Sequence, residues 1–503
     1  MKKGIMVMAA MISIGLAACG QAENEEIQVI EPNYEGIATM SNGGRVSVHD
    51  PSIEKFDGKY YIFGSHMTGA VSEDMRSWTM IGDGYRSSNP IFADWFAEDA
   101  HVFDYAGDYG NGSYAVWAED IIYIKEMQKY VMYTCTSSTY IKSNLCYATS
   151  DSPEGPYVWQ GPLLYSGFTS DDIDQTDVLQ YVTEEYALDT YLKPGGAYEN
   201  NLWPNCIDPA PFYDEDGRLW MTYGSWSGGI FLIELDPTTG TVIHPEADPD
   251  NEVDPYFGKR LMGGKHRSIE GPYIEYDKEA GYYYLYVSYG GLAQKEGYQI
   301  RVFRSETVDG PYVDMNGEYP NGREAHFAYG LKLSGNYYLP SLAMGYMATG
   351  GQSTLIDDDG KRYICYHTRF EKRGEMHEPA VKQILINKEG WPVLLPYNTK
   401  GETVSETGYD KDEVVGDYFF INQGLMINDE IAQPVMITLK SNGKVTGSIR
   451  GTWTMEKGTY YMTLEYNDKT YSGVFCKMQD QAGVEIMTFS AVGSNESIWG
   501  VKY

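Results

Sequence analysis

One phrase recurs five times along the 503 residues and limits the folds open to the chain. Residues 50–64, 120–133, 208–224, 270–286 and 353–367 each read as a short strand, a turn and a second, alternating strand. Asp57-Gly58, Asp216-Gly217 and Asp359-Gly360 fall at the turns, where a tight hairpin needs residues that tolerate left-handed backbone. Further strands follow most copies: 144–149 leads to 152–157, 229–235 to 237–240, and 299–304 to 307–312. Successive copies start roughly 60–90 residues apart, room for four strands each. Five four-stranded units predict an all-β chain built on a five-bladed β-propeller over residues 43–398, whose radial closure removes exposed sheet edges. A parallel β-helix repeats over far fewer residues and does not match. Long inserts such as 169–200 are expected as loops on one face. Composition agrees: aromatics make up 14% of the chain, with 45 tyrosines and 55 glycines, which suits strands and tight turns and excludes disorder for the bulk.

The ends read differently. Residues 399–413 look like a linker. The short alternating runs 416–421, 435–439, 445–450, 459–466, 469–477, 485–491 and 498–501 predict a small antiparallel β-barrel over 414–503, with no cluster of acid, base and nucleophile. At the start, Lys2-Lys3 precedes an apolar run over 5–16 that is too short to span a bilayer. It reads as a signal peptide over 1–19, and its ending, Leu16-Ala17-Ala18-Cys19, looks like a bacterial lipobox, with Cys19 as the lipid-bearing residue. An ordinary signal peptide cut after Ala-x-Ala is the alternative. Residues 20–42 read as an acidic tether. The expected location is extracellular, on the surface of a bacterium, with the membrane touched only through the Cys19 lipid.

The formal charge of −33 argues against nucleic acid or an anionic bilayer as partner. Cys135, Cys146, Cys206, Cys365 and Cys476 show no metal-ligand spacing. Cys135 and Cys146 lie either side of a turn near Tyr140-Ile141, so a cross-strand disulfide and two isolated buried thiols both fit.

The chemistry follows from the topology. In a propeller the innermost strand of each blade lines the central channel, so the residue opening it sits near the axis. Four copies open with an acid: Asp50, Asp120, Asp208 and Glu270. A lone acid at a strand start usually satisfies nearby amides, and Asp120 is given that role. His49-Asp50-Pro51, Ile207-Asp208-Pro209 and Ile269-Glu270-Gly271-Pro272 share one register, which favours a common site. Glycoside hydrolysis needs one carboxyl that keeps its proton for the leaving oxygen and one that stays ionised. A third acid nearby raises the first by like-charge repulsion.

These residues are similar to those of glycoside hydrolase family 43. The resemblance rests on 48–52 (Val-His-Asp-Pro-Ser), 117–121 (Trp-Ala-Glu-Asp-Ile), 205–209 (Asn-Cys-Ile-Asp-Pro), 223–228 (Tyr-Gly-Ser-Trp-Ser-Gly) and 268–273 (Ser-Ile-Glu-Gly-Pro-Tyr). Asn201–Asn205, Tyr286–Gly291 and Tyr366–Arg369 resemble the endo-1,5-α-L-arabinanase branch, and the tail resembles the lipocalin-like barrel of its larger members. The resemblance implies an inverting hydrolase of arabinan, a plant cell-wall polysaccharide. It implies Asp50 as general base, Glu270 as general acid and Asp208 as the acid that raises and orients Glu270. Inversion implies a carboxyl gap of roughly 6.5–9.5 Å for the attacking water. It also implies sugar-binding roles for His49, Trp117, Asn205 and Ser225, and a calcium ion in the channel at His367, an unusual ligand for an ion that prefers oxygen.

The pattern departs from the family at Glu119, where proline is usual. Gly64–Met67 and the stretch around His326 map to no family role, and His377-Glu378 reads as loop. Alternatives on the same scaffold are an exo-acting α-L-arabinofuranosidase or β-xylosidase. A non-catalytic glycan-binding lipoprotein is another, though a binder has no need of Asp50, Asp208 and Glu270 together.

Overall fold

The computed structural model describes residues 46–97, 99–108, 114–320 and 326–503. The expected signal peptide at 1–19, Cys19 and the tether at 20–42 lie outside the described residues. Among the described residues no helix is long and apolar enough to cross a membrane.

Five antiparallel sheets follow one another in chain order, and their first strands pack side by side around an axis. The first blade is His49–Phe56, Lys59–Ser65, Thr68–Ser72 and Trp78–Gly82. The second is Ala115–Ile124, Lys129–Ser137, Ser143–Ser150 and Val158–Ser166. The third runs Ala210–Tyr213, Leu219–Tyr223 and Ile230–Leu235, with its outer position divided between Val242–Ile243 and Gly258–Met262, and Val253–Asp254 beyond. The fourth is Ile269–Asp277, Tyr282–Tyr289, Gln299–Ser305 and Leu331–Ser334, and the fifth Tyr346–Ile356, Arg362–Phe370, His377–Ile386 and Pro392–Leu394.

Three details differ from expectation. The segments 152–157 and 307–312 are not outer strands, which begin later at Val158 and Leu331. Both segments contain proline, which cannot donate to a ladder. The insert 169–200 is not all loop but holds two short helices, Val178–Tyr181 and Glu184–Tyr191; the Thr183 side chain caps the second by accepting the Tyr186 N–H. The fifth inner strand starts at Tyr346, ahead of position 353; Gly350-Gly351 weakens the strand pattern at its centre and hides its first half in the sequence.

Alternation along each strand sends side chains to opposite faces, and each face builds the core with its neighbour. In the second blade, Met132, Cys146 and Ala148 join Phe63 and Trp95 on the first-blade side. Val131, Tyr133, Cys135 and Leu145 join Leu219, Met221 and Phe231 on the other. Cys135 stands opposite Leu145 in the ladder, so Cys146 faces away from it. Of the two readings left open for Cys135 and Cys146, the structure has the isolated thiols: all five cysteines after Cys19 are buried and free.

Among the described residues the first and last blades share no strand, and side chains hold the seam between them. Ser353 Oγ donates to Pro51 O at 2.7 Å and accepts the Ile53 N–H at 2.8 Å. Lys55 pairs with Asp357, and Tyr60 donates its hydroxyl to the same carboxylate. Val48, Ile53 and Ile62 pack against Tyr363, Cys365 and Val381.

The tail is a closed eight-stranded antiparallel barrel from Gly416–Asn422 to Glu496–Lys502. One of its strands, Gly451–Met455, escapes the sequence pattern. The barrel shares a core with the propeller: Ile421, Val474 and Trp499 lie in one apolar cluster with Tyr337, Ile364 and Trp391. Lys382, fully buried at this joint, holds its ammonium 4.3 Å from the Trp499 ring and donates to Pro396 O at 2.5 Å. In the segment expected as linker, Thr399 is buried and its N–H donates to Val381 O at 2.8 Å.

Candidate active site

The inner strands share a kink near the axis. Ladder register breaks between His49 and Ser52, Trp117 and Asp120, Glu270 and Tyr273, and around Gly350. Asp50 (φ 49°), Ala118 (51°), Asp208 (56°), Gly271 (56°) and Gly351 (57°) all take left-handed backbone there. Such bulges bend a strand and re-aim its side chains.

The result is one cavity of about 840 Å³ lined by Asp50, Asp208 and Glu270. Asp120, the fourth acid of the repeat, lies deeper on this cavity's wall and accepts a hydrogen bond from Ser52 Oγ. Ala118 takes the left-handed position in the second blade.

Asp50 is tightly partnered. Its Oδ2 meets His49 Nδ1 at 2.6 Å and accepts from Ser65 Oγ at 2.7 Å, while its backbone N–H donates to His367 Nδ1 at 3.2 Å. Burial alone would raise this carboxyl; the charge and hydrogen bond of His49 and the hydrogen bond of His367 outweigh it and hold Asp50 well below the usual carboxylate range. Gly351 makes room: a Cβ there would collide with Asp50 Oδ1 and reach 2.9 Å from His367 Nδ1.

Glu270 is placed for the opposite state. Ser225 Oγ donates to its Oε2 at 2.9 Å. Burial pushes Glu270 up to about 7, against a hydrogen bond from Tyr298, with the Asp50 charge adding to the rise. Asp208 accepts the Gly271 N–H at 3.1 Å, and burial with the Glu270 and Asp50 charges pushes it well above its usual range. Asp208 and Glu270 therefore titrate as a pair.

The other expected residues surround them. His49 stacks on His367 at 3.9 Å between ring centres. Trp117 is half-buried, lines the cavity and stacks on Tyr140 at 5.4 Å. Asn205 accepts from Ser143 Oγ at 2.7 Å and donates to Tyr140 O at 2.7 Å, tying the second-blade loop to the third blade. His367 is fully buried, and Arg369 lies 3.1 Å from its Nε2 and 3.4 Å from His49 Nε2. His377, expected in a loop, opens a strand, lines the cavity and packs edge-on to His49 at 4.9 Å.

Ser65, Tyr298 and Gly351 were not signalled by any motif. Their roles come from contacts between blades, which a local pattern does not carry.

His49, Asp50 and His367 bring one donor atom each within 4.8 Å of one another. They offer one carboxylate oxygen and two imidazole nitrogens, so an oxygen-preferring ion such as calcium would have to take most of its shell from water.

Comparison with known proteins follows the same division of the chain. The family described as glycosyl hydrolases family 43 matches residues 165–392, and a C-terminal lipocalin-like domain matches 396–500. The extracellular endo-α-(1→5)-L-arabinanase of Thermotoga petrophila is 36% identical over 472 residues, covering 90% of this chain and 93% of that protein. Extracellular endo-α-(1→5)-L-arabinanase 2 of Bacillus subtilis is 36% identical over 91% of this chain and 93% of that protein. A crystal structure of endo-1,5-α-L-arabinanase from Thermotoga petrophila superposes with a TM-score of 0.79 at 36% identity, covering 92% of this chain and 99% of that one.

Proposed function

The chain belongs to glycosyl hydrolase family 43, and on that premise we propose that it hydrolyses arabinan, the α-1,5-linked polymer of L-arabinofuranose, by a single inverting displacement within the polymer. The observation that carries this reading is two carboxyls of different proton affinity in one cavity: Asp50 held ionised, Glu270 pushed up to about 7.

Each carboxyl has one task. Asp50 takes a proton from water as its oxygen attacks the anomeric carbon. Glu270 gives its proton to the glycosidic oxygen as the carbon–oxygen bond breaks, so the departing sugar leaves as an alcohol. One oxygen enters from the face opposite the leaving group, and the anomeric configuration inverts. Asp208, beside Glu270 and sharing its buried surroundings, keeps a proton on the pair at neutral pH. Ser225 orients the Glu270 carboxyl, and His49 with Ser65 orients that of Asp50. Trp117 and Asn205 face the same cavity and suit the sugar unit that is cleaved, a flat ring and a fixed amide for its faces and hydroxyls. Aromatic rings of the second blade, Trp117 and Tyr140, and of the loops beyond, Trp226 and His266, line the cavity and support binding of several sugar units.

Calcium belongs to the same proposal. His367 and Asp50 would hold it, and a bound ion would add positive charge behind the general base.

The relatives named extracellular support action outside the cytoplasm. The Cys19 lipid anchor is the finer part of that proposal, read from sequence alone; radiolabelled fatty acid that fails to enter the wild-type protein, or that enters Cys19→Ala equally well, would remove it.

Product sizing on linear arabinan, debranched arabinan and xylan tests the reading. Oligosaccharides from arabinan at early times are expected. Monosaccharide alone points to an exo-acting arabinofuranosidase, and release from xylan alone to a xylosidase.

A further inference from the structure

His66 and Met67 stand side by side in the left-handed region, at φ 74° and 58°. Neither is glycine, so this turn is held against a steric preference, and such strain gathers at functional sites. The restraint comes largely from the neighbouring blade. Glu119 is fully buried, and its Oε1 accepts the Met67 N–H at 2.7 Å. The His66 N–H donates to Val116 O at 2.9 Å, and Asn89 Nδ2 donates to Met67 O at 2.7 Å. The backbone is thereby pinned at three points.

The pinned turn presents one side chain. Ser65 and Met67 are buried, whereas the His66 imidazole is exposed, lines the catalytic cavity and lies 6.4 Å from the His49 ring. Its Nδ1 bonds the Tyr85 hydroxyl at 2.7 Å, which fixes the ring and leaves Nε2 for a partner in the cavity. Burial and the nearby His49 lower its proton affinity, so the ring is neutral at neutral pH and suits an uncharged hydroxyl. Glu119 itself is pushed well above the usual range by burial, and its Oε2 has no hydrogen-bond partner. The Met67 amide needs only the oxygen that accepts from it, and an uncharged amide side chain would supply the same carbonyl.

We propose that His66 is a specificity-determining contact of the cleft, binding a hydroxyl of an arabinofuranose unit beside the one that reacts, and that Glu119 is its positioning residue. This rests on the arabinanase reading above. A mere packing role for Glu119 would be insensitive to whether His66 is present, and that difference makes the inference testable.

Initial rates on debranched arabinan and on arabinohexaose are compared for wild type, His66→Ala, Glu119→Ala, Glu119→Gln and the double alanine variant. His66→Ala is expected to raise KM about tenfold with kcat changed less than about threefold, the loss of one ground-state hydrogen bond. Glu119→Ala should reproduce that KM change, the double variant should add nothing to it, and Glu119→Gln should restore wild-type KM. If Glu119→Ala fails to fold by circular dichroism, His66→Ala and Glu119→Gln decide the matter. An unchanged KM in His66→Ala, a fall in kcat alone, or additive effects in the double variant would overturn the inference. Wild-type enzyme inactive on both substrates would overturn the arabinanase reading itself, a result visible before any variant is compared.

Discussion

Asp50 and Asp208, from the first and third blades, adopt the same left-handed backbone, φ 49° and 56°, and line the same cavity. For Asp50 this falls in the bulge of the inner strand, for Asp208 just ahead of Ala210–Tyr213. Aspartate tolerates this conformation better than most residues, which makes the position compatible with an acid.

Removing either working carboxyl should abolish turnover while leaving the fold. Asp50→Asn and Glu270→Gln are each expected to lower kcat on debranched arabinan about a hundred- to ten-thousand-fold. Far-UV circular dichroism should match the wild type, and near-normal turnover in either variant would remove the mechanism. Proton NMR of fresh product should show the anomer opposite to the substrate linkage.

Gly351→Ala tests the close approach behind Asp50. The new methyl would strike the Asp50 carboxylate, and alanine at φ +57° adds about 1–2 kcal/mol of backbone strain. A fall in kcat of about tenfold or more is expected, together with a lower melting temperature. Wild-type kcat would mean that the carboxylate is not held where it must act.

The pH dependence follows from the two shifts. Glu270 works protonated and is raised to about 7, so kcat/KM should fall as pH rises through about 7. Asp50 works ionised and is held well below its usual range, so the acid limb should lie below the usual carboxylate range. Asp208→Asn removes a like charge from the buried pair, and the alkaline limb should move to lower pH. An alkaline limb that stays in place would separate Asp208 from Glu270.

Metal removal should weaken activity if calcium sits at His367. After chelation verified by elemental analysis, calcium should restore kcat and raise the melting temperature. His367→Ala should respond to neither treatment. Unchanged rates in metal-free wild type would remove calcium from the proposal.

Trp499→Ala addresses the barrel. This ring is fully buried, meets Tyr337 edge-on at 5.0 Å and lies under the Lys382 ammonium. Its loss should destabilise by about 3–5 kcal/mol. Thermal unfolding should show the drop, while kcat of the folded fraction stays the same.

What the sequence carried was the part written locally. A hairpin phrase repeats because every blade needs one, and its opening acids point at the axis, so Asp50, Asp208 and Glu270 were legible together. Gly351 was not, because the fifth copy opens without an acid and the two glycines at 350 and 351 hide the strand they lie in. His377 read as loop because its function comes from packing on His49 across the seam. In the barrel, the run expected over 445–450 continues through the break at 448–450, and Gly451–Met455 falls in no expected run, since the break contains no turn residue stronger than Ser448. The same limit applies to Ser65 and Tyr298, which gain meaning only once blades are neighbours.

The seam between first and last blades has one more consequence. Asp50 and His49 belong to one side of it, and His367, Arg369 and Gly351 to the other. Among the described residues no backbone ladder ties the two sides, so any loosening there would pull the base away from its supports before the blades themselves melt. Catalysis thus serves as a gauge of ring integrity: on gentle heating, activity should fade ahead of the strand signal, as a clasp opens before the necklace breaks.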